Sequence, residues 1–212
     1  MPPVANALGL ARPLAYAGAM TFALPEGLAP ENYPIAWLVG RWHGSGAIGY
    51  EGIDEQTVVQ EVVVDHDGGP YLTWSLTMWL ADTEKSETVA NEMPGLERYG
   101  RLVKDRIWST ETGYIRTVPA EASADGPAPQ TAELEVLLAD PAGHLSLYVG
   151  RSQPARIELA TDAVVASPSA AEMTAAAWML GLVQSDLMWA RDIAAFGQPL
   201  DSYSSGRLGR VE

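Results

Sequence analysis

The chain contains no cysteine, which excludes disulfides, thiolate nucleophiles and cysteine-ligated metals. Histidine is nearly as scarce: His43, His66 and His144 are the only three, and no two stand at metal-ligand spacing, so no zinc site is indicated. Basic residues are few, 13 Lys and Arg against 27 Asp and Glu, and the formal charge is −14. A surface that acidic repels phosphate backbones and anionic lipid heads, which argues against nucleic acid and membrane partners. No apolar run reaches the roughly 20 residues that a spanning helix needs. No G-x-G-x-x-G joins a strand to a helix, and no nucleophile elbow or Ser-His-Asp order stands out. Residues 1–24 form an apolar, Ala-rich N-terminal extension. No Lys or Arg precedes Arg12 and Pro13 interrupts the run, the wrong order for a secretory signal. With the missing cysteine, this points to a cytoplasmic protein.

What is present is a globular composition, 47% apolar and 19% charged, over 212 residues. From Trp42 onward the dominant period is two. Leu72, Trp74, Leu76 and Met78 alternate with Thr73, Ser75, Thr77 and Trp79. Ala132, Leu134, Val136 and Leu138 alternate with Glu133, Glu135 and Leu137, and Leu145, Leu147 and Val149 with Ser146, Tyr148 and Gly150. Such alternation sends one row inward and the other toward water. Turn clusters separate the runs: Asp67-Gly68-Gly69-Pro70, Asp140-Pro141-Ala142-Gly143 and Gln153-Pro154. The spacing predicts strands at 41–50, 57–66, 71–81, 106–118, 131–139, 144–151, 155–167, 172–183, 186–196 and 204–211. A short helix is expected around Pro30–Leu38. The alanines of 175–182 also suit a helix, but strand-like neighbours and a hairpin at Gln184-Ser185 favour strand. The fold class is therefore all-β, an antiparallel up-and-down barrel of about ten strands with a short N-terminal helix, occupying residues 25–212. Two stretches fall outside the meander. Residues 83–105 are charged and hold Met93-Pro94-Gly95; they are expected to form one or two short helices in an inserted connection, such as a lid over one barrel end. Residues 120–130 have the composition of a solvated loop.

The first strand reads Gly40-Arg41-Trp42-His43-Gly44-Ser45-Gly46, or G-x-W-x-G-x-G. Glycines at alternate strand positions permit a sharp bend and the close approach of another backbone. A tryptophan among them is suited to plug a barrel end while its indole N–H reaches a carbonyl. This motif, followed by Tyr50 and Ile53, resembles the opening of the nitrobindin (peroxynitrite isomerase) family. Further matches follow in order: His66-Asp67-Gly68-Gly69-Pro70-Tyr71-Leu72, Thr77-Met78-Trp79, Glu111-Thr112-Gly113-Tyr114-Ile115-Arg116, and Asp192-Ile193-Ala194-Ala195-Phe196-Gly197-Gln198-Pro199-Leu200. The resemblance spans about 31–211, apart from 83–105 and 120–130. It implies a ten-stranded barrel of the calycin type, similar to lipocalins and fatty-acid-binding proteins. It also implies a homodimer and haem b near one open end, with ferric haem chemistry on peroxynitrite and nitric oxide.

Two positions of the implied haem site are substituted. The family's iron-ligating histidine falls three residues after Pro-Leu, and here Pro199-Leu200 leads to Tyr203. Phenolate favours ferric iron, but a free tyrosine has a pKa near ~10. Ligation at Tyr203 therefore needs the iron itself, or a cation such as Arg207, to remove the proton. Where the family's first strand exits through Tyr-Pro-Thr-Ile, this chain reads Tyr50-Glu51-Gly52-Ile53, so Gly52 removes a hydroxyl and leaves room. Two substitutions at one site argue against retained peroxynitrite isomerisation. Elsewhere, Arg191 and Asp192 alternate in a late strand, and an interior charge there would want a partner, for which Arg116 is a candidate. His66 is expected at a turn, His43 outward or at the rim, and His144 at a strand start. The sequence leaves three functions open: ferric haem held through Tyr203, haem-free binding of a small apolar ligand such as a fatty acid, or a scaffold whose 83–105 insertion meets a partner.

Overall fold

A computed structural model describes residues 24–118 and 131–211; the N-terminal extension up to residue 23 and the 120–130 stretch lie outside the described residues. Ten antiparallel strands form a closed barrel, each hydrogen-bonded to its sequence neighbours, with the last closing on the first. In chain order they are β1 (Gly40–Tyr50), β2 (Ile53–Asp65), β3 (Leu72–Ala81), β4 (Lys104–Thr117), β5 (Ala132–Ala139), β6 (His144–Gln153), β7 (Arg156–Ala166), β8 (Met173–Val183), β9 (Asp186–Ala195) and β10 (Asp201–Val211). Two of the period-two rows fall as expected; in β6 the inward row is His144, Ser146 and Tyr148, and Leu145 and Val149 are exposed. Leu72, Trp74, Leu76 and Met78 are buried, as are Leu134, Val136 and Leu138. The alanine-rich stretch is strand β8, with Ala176, Trp178 and Leu180 inside.

Closure depends on the glycines of β1. Gly46 pairs with Gly206 across the β1–β10 seam. A Cβ on Gly46 would run into the Ser205 carbonyl, and one on Gly44 into the backbone of Arg207 and Leu208. The seam therefore admits backbone where another residue would bring a side chain.

A 3₁₀-helix, Pro30–Leu38, plugs the end of the barrel where β1 begins. The fully buried Trp42 donates its Nε1–H to the Leu38 carbonyl at 2.8 Å. The Arg210 guanidinium lies 4.0 Å from the Trp42 ring and donates from Nη2 to the Trp37 carbonyl at 2.7 Å and from Nη1 to the Val39 carbonyl. Asn32 ties the plug to the β2–β3 turn, donating to the carbonyls of Gly69 at 3.0 Å and Tyr71 at 3.2 Å.

The inserted connection does hold a short helix, α1 (Gly95–Arg101), but not as a lid. It packs on the outer wall against β1 and β10. Gly95 lies flat on the backbone of Leu208 and Gly209, a contact only a residue without a side chain permits. Tyr99 stacks on the outward His43 ring at 4.7 Å and hydrogen-bonds Glu61, which Lys104 also meets. These side-wall contacts fix the connection where the sequence suggested an end cap.

Candidate ligand site at the barrel mouth

The mouth opposite the plug is rimmed by the β1–β2 turn, the start of β4 and the β9–β10 connection. Tyr50, at the end of β1, donates its hydroxyl to the Ile193 carbonyl at 2.9 Å, lies 3.1 Å from the Pro199 carbonyl, and accepts the Ala195 N–H at 3.2 Å. One phenol thus holds the β9–β10 connection in place. Tyr203 follows in β10, where the register shifts between Ser202 and Ser204. This irregularity places an additional residue in the strand, and its ring packs against the core beside Tyr50, with centroids 6.3 Å apart and edge to face. The Trp108 indole donates its Nε1–H to the Tyr203 hydroxyl oxygen at 2.9 Å. Burial raises the Tyr203 phenol above its ordinary pKa; the Trp108 hydrogen bond and the Arg191 charge offset only part of that.

Deeper in the barrel lies an ion pair. Arg191 of β9 meets Glu111 of β4 in two parallel hydrogen bonds, Nη1 to Oε2 at 2.6 Å and Nη2 to Oε1 at 3.0 Å. Trp74 donates its Nε1–H to the same carboxylate at 2.9 Å. The guanidinium sits 4.5 Å from the Trp178 ring, itself edge-on to Trp74 at 4.9 Å. Burial alone would weaken Arg191's hold on its proton, but the Glu111 charge more than compensates and the net shift is upward. The fork geometry matches guanidinium to carboxylate, which suits arginine better than lysine. Among the described residues, the buried donors Arg191 Nε and Trp178 Nε1 beside this pair have no protein acceptor, and neither does Trp189 Nε1 on the same strand as Arg191.

Several expected roles move. Arg207 is not near Tyr203's oxygen: it faces the outer wall, with its Nε 2.6 Å from Asp186 Oδ2. Neighbouring strand residues point to opposite faces, and Leu208 holds the inward one. Arg116 is not the interior partner either; it faces outward toward Glu135 at 3.5 Å. The partner of Arg191 is Glu111, the first residue of the Glu111–Arg116 strand motif. Parity carried the signal: Glu111 is in phase with the buried Ile115, and Arg191 with Leu187, Trp189 and Ile193. Gly52 lies exposed in the β1–β2 turn at φ +79°, with open space where a Cβ would stand, so its conformation accounts for the glycine. Gly40, Trp42, Gly44 and Gly46 belong to the plug and the seam. His66 follows β2 at the turn, and His144 is buried at the start of β6 with Nε2 2.8 Å from the Ala171 carbonyl.

A closed barrel plugged at one end, with an aromatic rim and a buried polar cluster at the other, has the architecture of barrels that take a small ligand at the mouth. Residues 31–210 match the family model described as the THAP4-like, heme-binding beta-barrel domain. A ferric nitrobindin-like protein of Beutenbergia cavernae is 45% identical, covering 91% of this chain and all of that relative. A second protein so named, from Kineococcus radiotolerans, is 38% identical over 84% of this chain and 92% of its own length. A peroxynitrite isomerase of Leifsonia xyli subsp. xyli is 36% identical, covering 89% of this chain and 98% of its own length. The crystal structure of Rv2717c from M. tuberculosis superposes with a TM-score of 0.63 at 28% identity, covering 87% of this chain and 99% of that one. The chain belongs to the THAP4-like haem-binding β-barrel family, the family of the nitrobindins.

The donor set at the resemblance's iron position does not fit a haem iron. Tyrosine ligates as phenolate, whereas burial holds Tyr203 above its ordinary pKa, and the Trp108 N–H and the Arg191 charge offset only part of that. The nearest buried cation, Arg191, is charge-balanced by Glu111 and leaves little positive potential to draw off the phenol proton.

Proposed function

We propose that this chain is a haem-free binding member of its family, taking a small, largely apolar molecule that carries a hydrogen-bond acceptor. The carrying observation is the Tyr203 phenol packed against the core over a charge-balanced Arg191–Glu111 pair. Burial favours the neutral phenol, and Trp108 and Arg191 offset only part of that. The surrounding walls are aromatic and aliphatic, which suits an apolar body. The unpaired donors Arg191 Nε and Trp178 Nε1 support one acceptor atom on the ligand, because a buried donor without a partner is costly. A fatty acid of modest length has this character. Peroxynitrite isomerisation is not carried over from the relatives that bear that name, since this reading leaves no bound iron.

The test is hemin titration of the parent, Tyr203→Phe and Tyr203→His, followed at the Soret band, beside displacement of a fluorescent fatty-acid probe. The parent is expected to bind the probe and to give no saturable Soret band. A saturable band in the parent that is lost in Tyr203→Phe overturns the proposal in favour of ferric haem on Tyr203. One observation favours that rival: Trp108 and Arg191 both act to lower the Tyr203 pKa, though less than burial raises it. A saturable band only in Tyr203→His would show that the cavity accepts haem and that the ligand alone was exchanged.

A further inference from the structure

We infer a second binding site, on the outer wall of the barrel, for a small molecule with a single anionic head and an apolar body. A groove of about 690 Å³ runs along the outer faces of β1, β8, β9 and β10 and is walled on one side by the inserted connection through Val89, Asn91 and Arg98. Its floor is apolar, with Met179 and Met188 in partial exposure. Arg98, on α1, lines the groove at only 9% exposure. Among the described residues its guanidinium makes no hydrogen bond and no ion pair, and its Nε is buried with no acceptor.

The neighbouring charges do not neutralise it. Asp186 lies close by, but its Oδ2 already accepts Arg207 Nε at 2.6 Å and the Gly95 N–H at 3.1 Å. Arg207 in turn is used up, donating to the Asn91 and Glu92 carbonyls at 3.2 and 3.1 Å and to Gln184 Oε1 at 3.4 Å. It acts as a positioning residue, fastening the connection to the wall and so forming the groove's side. Two guanidinium groups and one buried carboxylate leave one positive charge uncompensated. Burial, and then the Arg207 charge, weaken Arg98's hold on its proton, while Asp186 offsets only part of this. A guanidinium whose Nε is buried without an acceptor is a costly arrangement for a fold to retain. In a chain of net charge −14, it also marks a place where an anion is drawn in against the general field. Glu55, exposed at the rim, excludes a second anionic group and favours a monoanion. A carboxylate, sulfonate or phosphate-ester head on a hydrocarbon or aromatic body meets these demands.

The probe is 8-anilinonaphthalene-1-sulfonate, a monoanion with an apolar body, compared with its uncharged relative N-phenyl-1-naphthylamine. Titrations use the full chain, Arg98→Met, and Met188→Glu, which sets a like charge on the groove floor. The sulfonate is expected to bind at one site. Its affinity should fall at least about tenfold in Arg98→Met, the loss of one charge-assisted hydrogen bond, and vanish in Met188→Glu. The uncharged probe should change less than about twofold in Arg98→Met. The urea midpoint of Arg98→Met is expected unchanged or raised, because the substitution removes a buried charge with no partner. Sulfonate binding equal in all three proteins overturns the proposal and places the probe inside the barrel. Equal weakening of both probes in Arg98→Met also overturns it, because a packing defect then explains the loss.

Discussion

Replacing Glu111 with leucine leaves the Arg191 guanidinium buried with no counter-ion. In the parent that group has two hydrogen bonds to the carboxylate, at 2.6 and 3.0 Å, and the Trp74 indole shares the same acceptor at 2.9 Å. Removing one partner of a buried pair costs about 3–5 kcal/mol, mostly from the charge left behind. Total domain stabilities are only about 5–15 kcal/mol, so about a fifth or more of the margin is at stake. With a urea m-value near the upper end of the small-protein range, about 3 kcal/mol/M, the midpoint should fall by about 1–1.7 M. The second variant decides the cause. Glu111→Leu combined with Arg191→Met removes both charges and fills similar volume, and should recover at least about 2 kcal/mol of the loss. Raising salt should not mimic either change, because a buried pair is poorly screened. Urea melts followed by tryptophan fluorescence give all three values. A single substitution costing under about 1 kcal/mol, or a double no better than the single, would refute the view that the barrel interior is held by charge balance.

Three further outcomes follow from particular contacts. Tyr203→Phe leaves the Trp108 Nε1–H without its acceptor and should cost about 1 kcal/mol, read as a fall of about 2–4 °C in the thermal midpoint; no fall would mean that the bond contributes nothing. Gly46→Ala forces a Cβ into the Ser205 carbonyl at the closing seam, and should cost about 1–3 kcal/mol in a urea melt, whereas a neutral result would show that the seam yields. Glu61 on the outer wall has its pKa below the ordinary 4.5, because the Lys104 and Tyr99 hydrogen bonds outweigh the upward effect of burial. The unfolded chain therefore takes up the proton first as pH falls, so Glu61's contribution is complete above about 4.5 and is lost below it. Glu61→Gln should flatten stability against pH in that acid window, and parallel curves for the two proteins would contradict the assignment.

The strands were legible because burial on one face writes a period of two into the sequence. Trp74, Leu76 and Met78 show it in β3, and even the alanines of β8 follow it through Ala176, Trp178 and Leu180. The mouth was harder to read because β10 begins earlier than its pattern suggests. Asp201, Ser202 and Ser204 are small and polar, and the irregularity beside Tyr203 breaks the alternation that would have assigned its side. Glu111 went unnoticed as a site residue for a related reason. A carboxylate in a strand looks like a solvent-facing residue, and only its phase with Ile115 places it inside. The outer-wall position of α1 had no local signature at all. It depends on Gly95 lying on Leu208 and Gly209, on the Gly95 N–H reaching Asp186, and on Arg207 reaching the Asn91 carbonyl, contacts between segments about 90 to 115 residues apart.

Arg191 and Arg98 are both buried, and the contrast between them implies two different selectivities on one barrel. Arg191 has its counter-charge built in, so the interior offers donors without net charge and should accept neutral or weakly polar ligands. Arg98 has none, so the outer groove should distinguish a monoanion from a neutral analogue of the same shape. Ionic strength separates the two. The Debye length shrinks from about 10 Å at 0.1 M to about 3 Å at 1 M salt. Arg98 reaches solvent through an open groove, so attraction of an anion to it should weaken over that range. Binding of 8-anilinonaphthalene-1-sulfonate is expected to lose several-fold in affinity, while N-phenyl-1-naphthylamine holds or gains, since excluded salts strengthen apolar burial. If both probes respond alike to salt, the uncompensated charge of Arg98 does not govern what the groove selects.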